Sequence, residues 1–111
     1  MIEVRILTQN KKIKAMQASG HALFARHGKD LVCAGVSAVL IGGFNAVILA
    51  LGEDSSRFQV EMGEGEASLT LHDVDDRRVQ VILETLEIQL KTIEEGYSKY
   101  INVIKQEVHA S

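Results

Sequence analysis

The residues of this chain best suited to covalent chemistry lie between positions 20 and 37. This stretch holds the one cysteine of the sequence, Cys33, and two of its four histidines, His21 and His27. A cysteine thiolate activated by a neighbouring base is a nucleophile for acyl transfer. Because cysteine is also among the residue types most often buried, a core position for Cys33 is the alternative interpretation.

A helix start is predicted next to the cysteine. Asp30 stands directly before the uncharged apolar segment 31–51, and a short carboxylate there can cap a helix by accepting bonds from its first N–H groups. Cys33 is then expected in the first turn, where the helix dipole favours the thiolate. Ser37, four residues later, is expected on the same helix face as Cys33.

The spacing of these residues resembles the signature of the Prp family, the ribosomal-processing cysteine proteases. The shared pattern is Gly-His-Ala followed by Gly-x-Asp-x-Val-Cys-Ala-x-x-Ser. In this chain it comprises Gly20, His21, Ala22, Gly28, Asp30, Val32, Cys33, Ala34 and Ser37. The similarity in length and in order of elements extends over essentially the whole chain. Such a pattern is much more specific than a single Cys or His.

The resemblance implies an endopeptidase that removes a short N-terminal extension from a large-subunit ribosomal protein in ribosome assembly. It makes Cys33 the nucleophile and His21 the general base and later the acid. Gly20 and Ala34 belong to the same motif. We expect the oxyanion to be bound by backbone N–H groups at the helix start, around Cys33 and Ala34.

Several assignments within this site stay open on the sequence alone. Asp30 either orients His21 or only caps the helix, and Ser37 either bonds within the site or packs as a small residue. His27 is a rival base, although His21 follows a strand and matches the family pattern. A non-catalytic, ribosome-associated binding module with Cys33 in its core is the alternative function.

Composition limits the other possibilities. With 111 residues, 46% of them apolar and 24% charged, the chain is expected to form one globular domain over residues 1–111. A net charge of −3 gives no electrostatic support for binding nucleic acid. The single cysteine and a first strand that begins near Met1 favour a cytoplasmic protein. No spacing of ligand residues predicts a metal site, and no cofactor is expected.

Hydrophobic periodicity indicates the elements that must position the site. Period-two alternation predicts two hairpins, and helical spacing predicts a second helix that starts after an acidic stretch. The predicted strands are 2–8, 13–19, 58–62, 67–71 and, at the end, 101–108; the helices are 31–51 and about 77–97. The order β-β-α-β-β-α(-β) predicts an α+β two-layer sandwich with both helices on one face of the sheet.

The apolar segment 31–51 allows two interpretations. Its length is that of a membrane span, whereas its Gly, Ser and Asn residues favour a buried helix packed on the sheet, and no membrane association is expected. A row of small residues recurs along it at Ala34, Ala38, Gly42, Ala46 and Ala50. Because one sheet cannot cover a helix that is apolar nearly all round, we expect a homodimer through part of 31–51 or 79–97, as the family resemblance also implies.

Acidic residues are concentrated in the second half of the chain. They are Glu61, Glu64, Glu66, Asp73, Asp75 and Asp76. Because ribosomal proteins are usually basic, such a field can steer the substrate toward the enzyme. The alternative is an ordinary solvated surface together with charges that complement the helix dipole.

Overall fold

A computed structural model of the chain describes residues 1–20, 29–52, 54, 56–63 and 65–108, with the side chains of Lys29 and Asp30 left aside. Its elements are β1 (Ile2–Gln9), β2 (Lys12–Ser19), α1 (Lys29–Leu51), β3 (Phe58–Gly63), β4 (Glu66–Leu71), α2 (Arg77–Gly96) and β5 (Ile101–Glu107). This is the predicted order, including the final strand, so the α+β prediction is confirmed.

The five strands form one mixed sheet in the order β3-β4-β2-β1-β5. β1 and β2 are joined by a tight turn in which Asn10 and Lys11 both have positive φ, the geometry of a two-residue hairpin whose twist matches the strands. β4 is antiparallel to β2 and β3, whereas β5 is parallel to β1. β3 and β5 are therefore the edge strands.

Both helices cover one face of this sheet. Along β1 the side chains of Ile2, Val4 and Ile6 are fully buried, and those between them are exposed or half-buried. The core cluster joins such alternate strand residues to Val36, Leu40, Phe44 and Val47 of α1 and to Val79, Leu83, Leu86 and Leu90 of α2. The predicted two-layer sandwich is thus present, and the opposite face of the sheet carries mainly polar side chains.

α1 begins at Lys29, one residue before Asp30. Asp30 therefore lies inside the first turn and not at the predicted N-cap position; a carboxylate in the first turn is still favoured by the helix dipole. One face of α1 packs on the sheet, and apolar side chains outside this face remain exposed: Leu31 is 65% exposed, Ile41 44% and Leu49 84%.

The segment Leu31–Leu51 is long and apolar enough to cross a membrane by length and composition alone. In the fold this segment forms part of the helical layer that covers the sheet. It contributes six residues to the core cluster: Val32, Val36, Leu40, Phe44, Val47 and Leu51. The prediction of a helix packed on the sheet is confirmed by these contacts. Its outward face stays apolar.

α2 is the amphipathic helix that the spacing predicts. Asp76 caps it by accepting hydrogen bonds from the N–H groups of Arg78 and Val79, and the helix ends at Gly96, so that Tyr97 lies beyond it and is 41% exposed. The two helices touch closely at Gly43, where any side chain would overlap Leu86. Glycine at this position allows α1 to approach α2.

The sheet has two ends, which we name the Gly20 end and the Asn10 end. The Gly20 end comprises the end of β2, the starts of β1, β4 and β5, and the first turns of α1. The Asn10 end comprises the β1–β2 turn, the end of β4, the start of α2 and the last turn of α1. β2 leads into the Gly20 end, and α1 starts from it.

Candidate active site

Cys33 is the fifth residue of α1 and lies at the start of its second turn, at the Gly20 end. Its residue surface is 6% exposed. His21 and His27 lie outside the described residues, as does the side chain of Asp30. The choice of the general base, and the role of Asp30, therefore stay predictions from the sequence.

Gly20 fixes the point from which the histidine-bearing segment leaves the sheet. Its N–H donates to the carbonyl of Gly65 at 3.0 Å, and its φ is +143°. A Cβ at this position would overlap the carbonyl oxygen of Met1 and crowd Ile2. The motif glycine is thus explained by backbone packing, and it ties the residue before His21 to the β3–β4 hairpin.

The motif residues that follow Cys33 have different surroundings. Ala34 is exposed, whereas Ser37 is half-buried and, four residues after Cys33, lies on the same helix face. In α1, which begins at Lys29, backbone i→i−4 bonding starts with the fourth helical residue, so within the helix the N–H groups of residues 29–31 lack an intrahelical acceptor. The helical geometry therefore favours these groups over the N–H groups of Cys33 and Ala34 as oxyanion donors.

A cleft of about 190 Å³ opens one turn beyond Cys33, between α1 and the β3–β4 hairpin. Its lining is mostly apolar and consists of Ser37, Leu40, Ile41, Met62, Gly63, Glu66 and Ala67. Ile41 and Met62 are large apolar side chains that remain 44% and 52% exposed. We name this feature the α1–β3 cleft.

The α1–β3 cleft was not predicted from the sequence. The alternation of Phe58, Val60 and Met62 assigns all three to the helix-facing side of β3, and the burial of the first two agrees with it. Met62 is exposed because β3 is an edge strand and nothing in the described chain covers its last residues on this side. Strand order decides this exposure, and a local pattern carries no information on strand order.

The predicted acidic field is divided between the two ends of the sheet. Glu61 and Glu66 lie toward the Gly20 end, because β4 begins there, whereas Asp73, Asp75 and Asp76 follow its other end. Asp75 pairs with Lys12 at 2.7 Å. Glu64 lies outside the described residues. Of the described members of this set, Glu66 lines the α1–β3 cleft, and Glu61 lies beside it in the β3–β4 hairpin on the polar face of the sheet.

The pKa shifts of the described groups lie away from Cys33. At the Asn10 end, the hydrogen bond from Arg78 lowers the pKa of Asp76 to about 2, and Asp76 in turn raises the pKa of Arg78. Bonds from Ser56 lower the pKa of Asp54.

On α2, burial raises the pKa of Glu87, but the ammonium groups of Lys91 and Lys105 together lower it by more. This carboxyl is held at 2.9 Å and 3.2 Å from the two lysines. Glu87 thereby joins α2 to β5 through Lys105, whereas the bonds that shift Asp54 and Asp76 come from residues two or three positions later in the chain.

The family model described as "Cysteine protease Prp" matches residues 1–102. The ribosomal processing cysteine protease Prp of Bacillus subtilis is 38% identical to this chain, over 86% of the chain and 88% of that relative. These matches extend far beyond the motif around Cys33.

Solved structures show the same fold. A crystal structure of the essential ribosomal processing protease Prp from S. aureus in complex with a substrate peptide superposes with a TM-score of 0.81 at 33% identity, covering 95% of this chain and 99% of that one. A second structure of that protease, in complex with a covalently linked product peptide, gives a TM-score of 0.81 at 34% identity over the same shares of the two chains.

Proposed function

The chain belongs to the Prp family of cysteine proteases, and we propose that it removes a short N-terminal extension from a large-subunit ribosomal protein during ribosome assembly. Its relatives are ribosomal processing proteases, and the S. aureus structures contain a substrate peptide and a covalently linked product peptide. The observation that carries the proposal is the position of Cys33: the motif cysteine lies near the start of α1, one turn from an open cleft.

The proposed reaction uses Cys33 and His21 as a dyad. His21 takes the proton of the Cys33 thiol, and the thiolate attacks the carbonyl carbon of the scissile peptide bond. When the tetrahedral intermediate collapses, the C–N bond breaks and His21 gives its proton to the leaving amine. A water molecule, deprotonated by His21, then hydrolyses the thioester. This releases the extension as a carboxylic acid and restores the thiol.

The oxyanion of each tetrahedral intermediate needs hydrogen-bond donors. We propose that they come from the backbone N–H groups at the N-terminus of α1, residues 29–31, because these lack acceptors within the helix. They also lie at the positive end of the helix dipole, which favours a developing negative charge. This assignment replaces the N–H groups of Cys33 and Ala34.

The test is incubation of the purified chain with the N-terminally extended ribosomal protein of its own host, read by mass. The expected product has lost the extension as one fragment. Cys33→Ala should abolish the cleavage and leave the fold intact, because alanine is a good helix former and removes little volume. Gln59→Ala, an exposed substitution on the polar face of β3, is the control that should retain activity.

The binding-module alternative makes a different prediction. A core cysteine reacts with an alkylating reagent only on unfolding, whereas an activated thiolate is alkylated rapidly near neutral pH. Rapid alkylation of native Cys33 together with cleavage supports the protease. Cleavage by the Cys33→Ala protein would exclude Cys33 as the nucleophile.

We also propose that the protein is a cytoplasmic homodimer. A groove of about 440 Å³ runs along the outward side of the two helices. Val81, which lines the groove, is 52% exposed, and Ile88, two turns further along α2, is 66% exposed. We name this groove and its rim the outward helix face. Because the outward helix face is mainly apolar and extends over both helices, a second copy related by a two-fold axis can cover it.

Sedimentation at micromolar concentration in detergent-free buffer tests the dimer. We expect twice the mass of the chain, and a monomer after Ile88→Lys, which places a charge in the apolar contact. Lys99→Glu, an exposed change outside the outward helix face, is the control. A wild-type monomer that is active would contradict the dimer, and a protein that stays in solution only with detergent would favour the membrane alternative.

A further inference from the structure

We propose that the α1–β3 cleft is a specificity pocket that takes one apolar side chain of the substrate close to the scissile bond, and that Ile41 and Met62 set its size. The proposal rests on the proposed proteolytic function of Cys33. Beyond that function, the proposal names the class of substrate side chain that is selected and the residues of this chain that select it.

The position of the cleft is the first argument. Ser37 lines it and lies four residues, about 6 Å along the helix axis, from Cys33. The opposite wall is the β3–β4 hairpin, whose Gly65 holds Gly20, the residue that leads to His21. A peptide whose carbonyl carbon reaches Cys33 therefore has a neighbouring side chain within reach of the cleft.

The lining is the second argument. Leu40, Ile41, Met62 and Ala67 supply apolar walls, and the polar groups are at Ser37 and Glu66. A pocket with mainly apolar walls gains free energy by burying an apolar side chain and loses it by desolvating a charged one. The carboxylate of Glu66 adds electrostatic repulsion against an acidic side chain.

The size of the cleft is the third argument. An apolar cavity of about 150 Å³ is large enough for a benzene ring, so a cleft of about 190 Å³ can hold one aromatic or branched aliphatic side chain. Ile41 and Met62 come from different elements and are both partly exposed at the cleft. Their exposed surface is apolar area that a substrate side chain can cover.

The experiment uses the full-length enzyme and peptides that span the cleavage site of the extended ribosomal protein. Each position within three residues of the scissile bond is replaced in turn by Ala, Leu, Phe or Asp. We expect one position at which Leu or Phe raises kcat/KM about tenfold or more over Ala, with Asp the poorest. The other positions should tolerate all four.

Enzyme variants then test whether the cleft is what selects the side chain at that substrate position. Met62→Trp and Ile41→Trp fill the α1–β3 cleft. Each should lower the ratio of kcat/KM for Phe over Ala at the selective substrate position by about tenfold. Met62→Ala and Ile41→Ala enlarge it and should favour Phe over Leu at the same position. Gln59→Trp introduces the same bulk on the opposite face of β3 and is the matched control, expected to leave every ratio unchanged.

The results separate failure of the pocket from failure of the proteolytic function. Wild-type cleavage with ratios that are unchanged in the Trp variants, or changed equally at all positions, overturns the pocket and leaves the function standing. Cleavage that persists in Cys33→Ala, or no cleavage of any peptide by the wild type, overturns both. Far-ultraviolet circular dichroism and melting temperatures show whether the filled variants still fold, and the two Ala variants test the same pocket without added bulk.

Discussion

The two ends of the sheet differ in how their polar and apolar groups are used. At the Asn10 end, side chains bridge separate elements through hydrogen bonds and ion pairs. At the Gly20 end, the described structure holds a backbone contact between Gly20 and Gly65, a bridge from the Val103 N–H to the Glu94 carboxylate, an open cleft and exposed apolar side chains. At the Asn10 end the polar groups bond to one another, whereas the Gly20 end leaves exposed surface that a ligand can contact.

Three residues account for most of the bridging at the Asn10 end. The buried amide of Gln80 bonds both the N–H and the carbonyl of Ile13, each at 2.8 Å, and so fastens α2 to β2. Glu107 accepts from the Thr8 hydroxyl and from the Asn10 N–H, both at 2.8 Å, which joins β5 to the β1–β2 turn. Asp76 caps α2 and pairs with Arg78, whose guanidinium also reaches the carbonyl of Ala50.

From this difference we expect substitutions at the Asn10 end to lower stability and substitutions at the Gly20 end to lower activity. Changes at the Asn10 end remove bonds that hold elements together and are remote from Cys33. Changes at the Gly20 end alter the nucleophile, its base or the substrate contacts, and few of them remove internal bonds. Each prediction that follows tests this separation, and the expected effects decrease in size.

His21→Ala should lower kcat for cleavage by about 100- to 10,000-fold, because proton transfer to and from Cys33 is lost. His27→Ala, within the same stretch of the sequence, is the matched control and should retain most of the activity. Cleavage rates of the two variants, with melting temperatures measured alongside, check the assignment. An inactive His27→Ala together with an active His21→Ala would reverse the roles.

Gln80→Ala should destabilise the fold by about 2–3 kcal/mol, since it leaves the buried N–H and carbonyl of Ile13 without their partner. The free energy of unfolding in urea measures the effect. At a temperature where the variant is folded, kcat/KM should equal that of the wild type. Glu84→Ala, an exposed change one turn later on α2, is the control, and a large loss of kcat/KM in folded Gln80→Ala would contradict the separation of the two ends.

Asp76→Asn should destabilise the protein near neutral pH while preserving activity at moderate temperature. The hydrogen bond from Arg78 lowers the pKa of Asp76 from 3.8 to about 2, so the folded state favours the charged form. Its contribution to stability is present above pH 3.8 and is lost as the pH falls through about 2. Melting temperatures of the two proteins should therefore converge as the pH decreases over this range, and a constant difference would rule out the charge as the cause.

The smallest expected effect concerns the carboxylates of the β3–β4 hairpin at the Gly20 end. The double change Glu61→Gln and Glu66→Gln should lower kcat/KM for the basic protein substrate about threefold at low ionic strength, and less at high salt, where screening shortens the range of the field. Asp73→Asn with Asp75→Asn changes the same number of charges at the Asn10 end and should have no such effect. Wild-type cleavage rates that do not depend on ionic strength would end the steering hypothesis.

Local patterns in the sequence determined the elements and the family. Alternation along β1 and the helical spacing of Val79, Leu83, Leu86 and Leu90 each predict a structure that needs no knowledge of its neighbours. The motif that contains Cys33 indicated the Prp family, and the family model that matches residues 1–102 confirms this. The nearly uniform apolarity of α1 predicted a helix without saying which face it buries.

Only the tertiary structure decided how these elements meet. The strand order leaves Met62 exposed on an edge strand opposite Ile41. Because α1 starts at Lys29, Asp30 lies in the first turn of the helix and not at the predicted N-cap position. Periodicity in the sequence reports which side chains of one element are buried. A cleft, a charge field or the close approach of Gly43 to Leu86 depends instead on residues that are distant in the sequence.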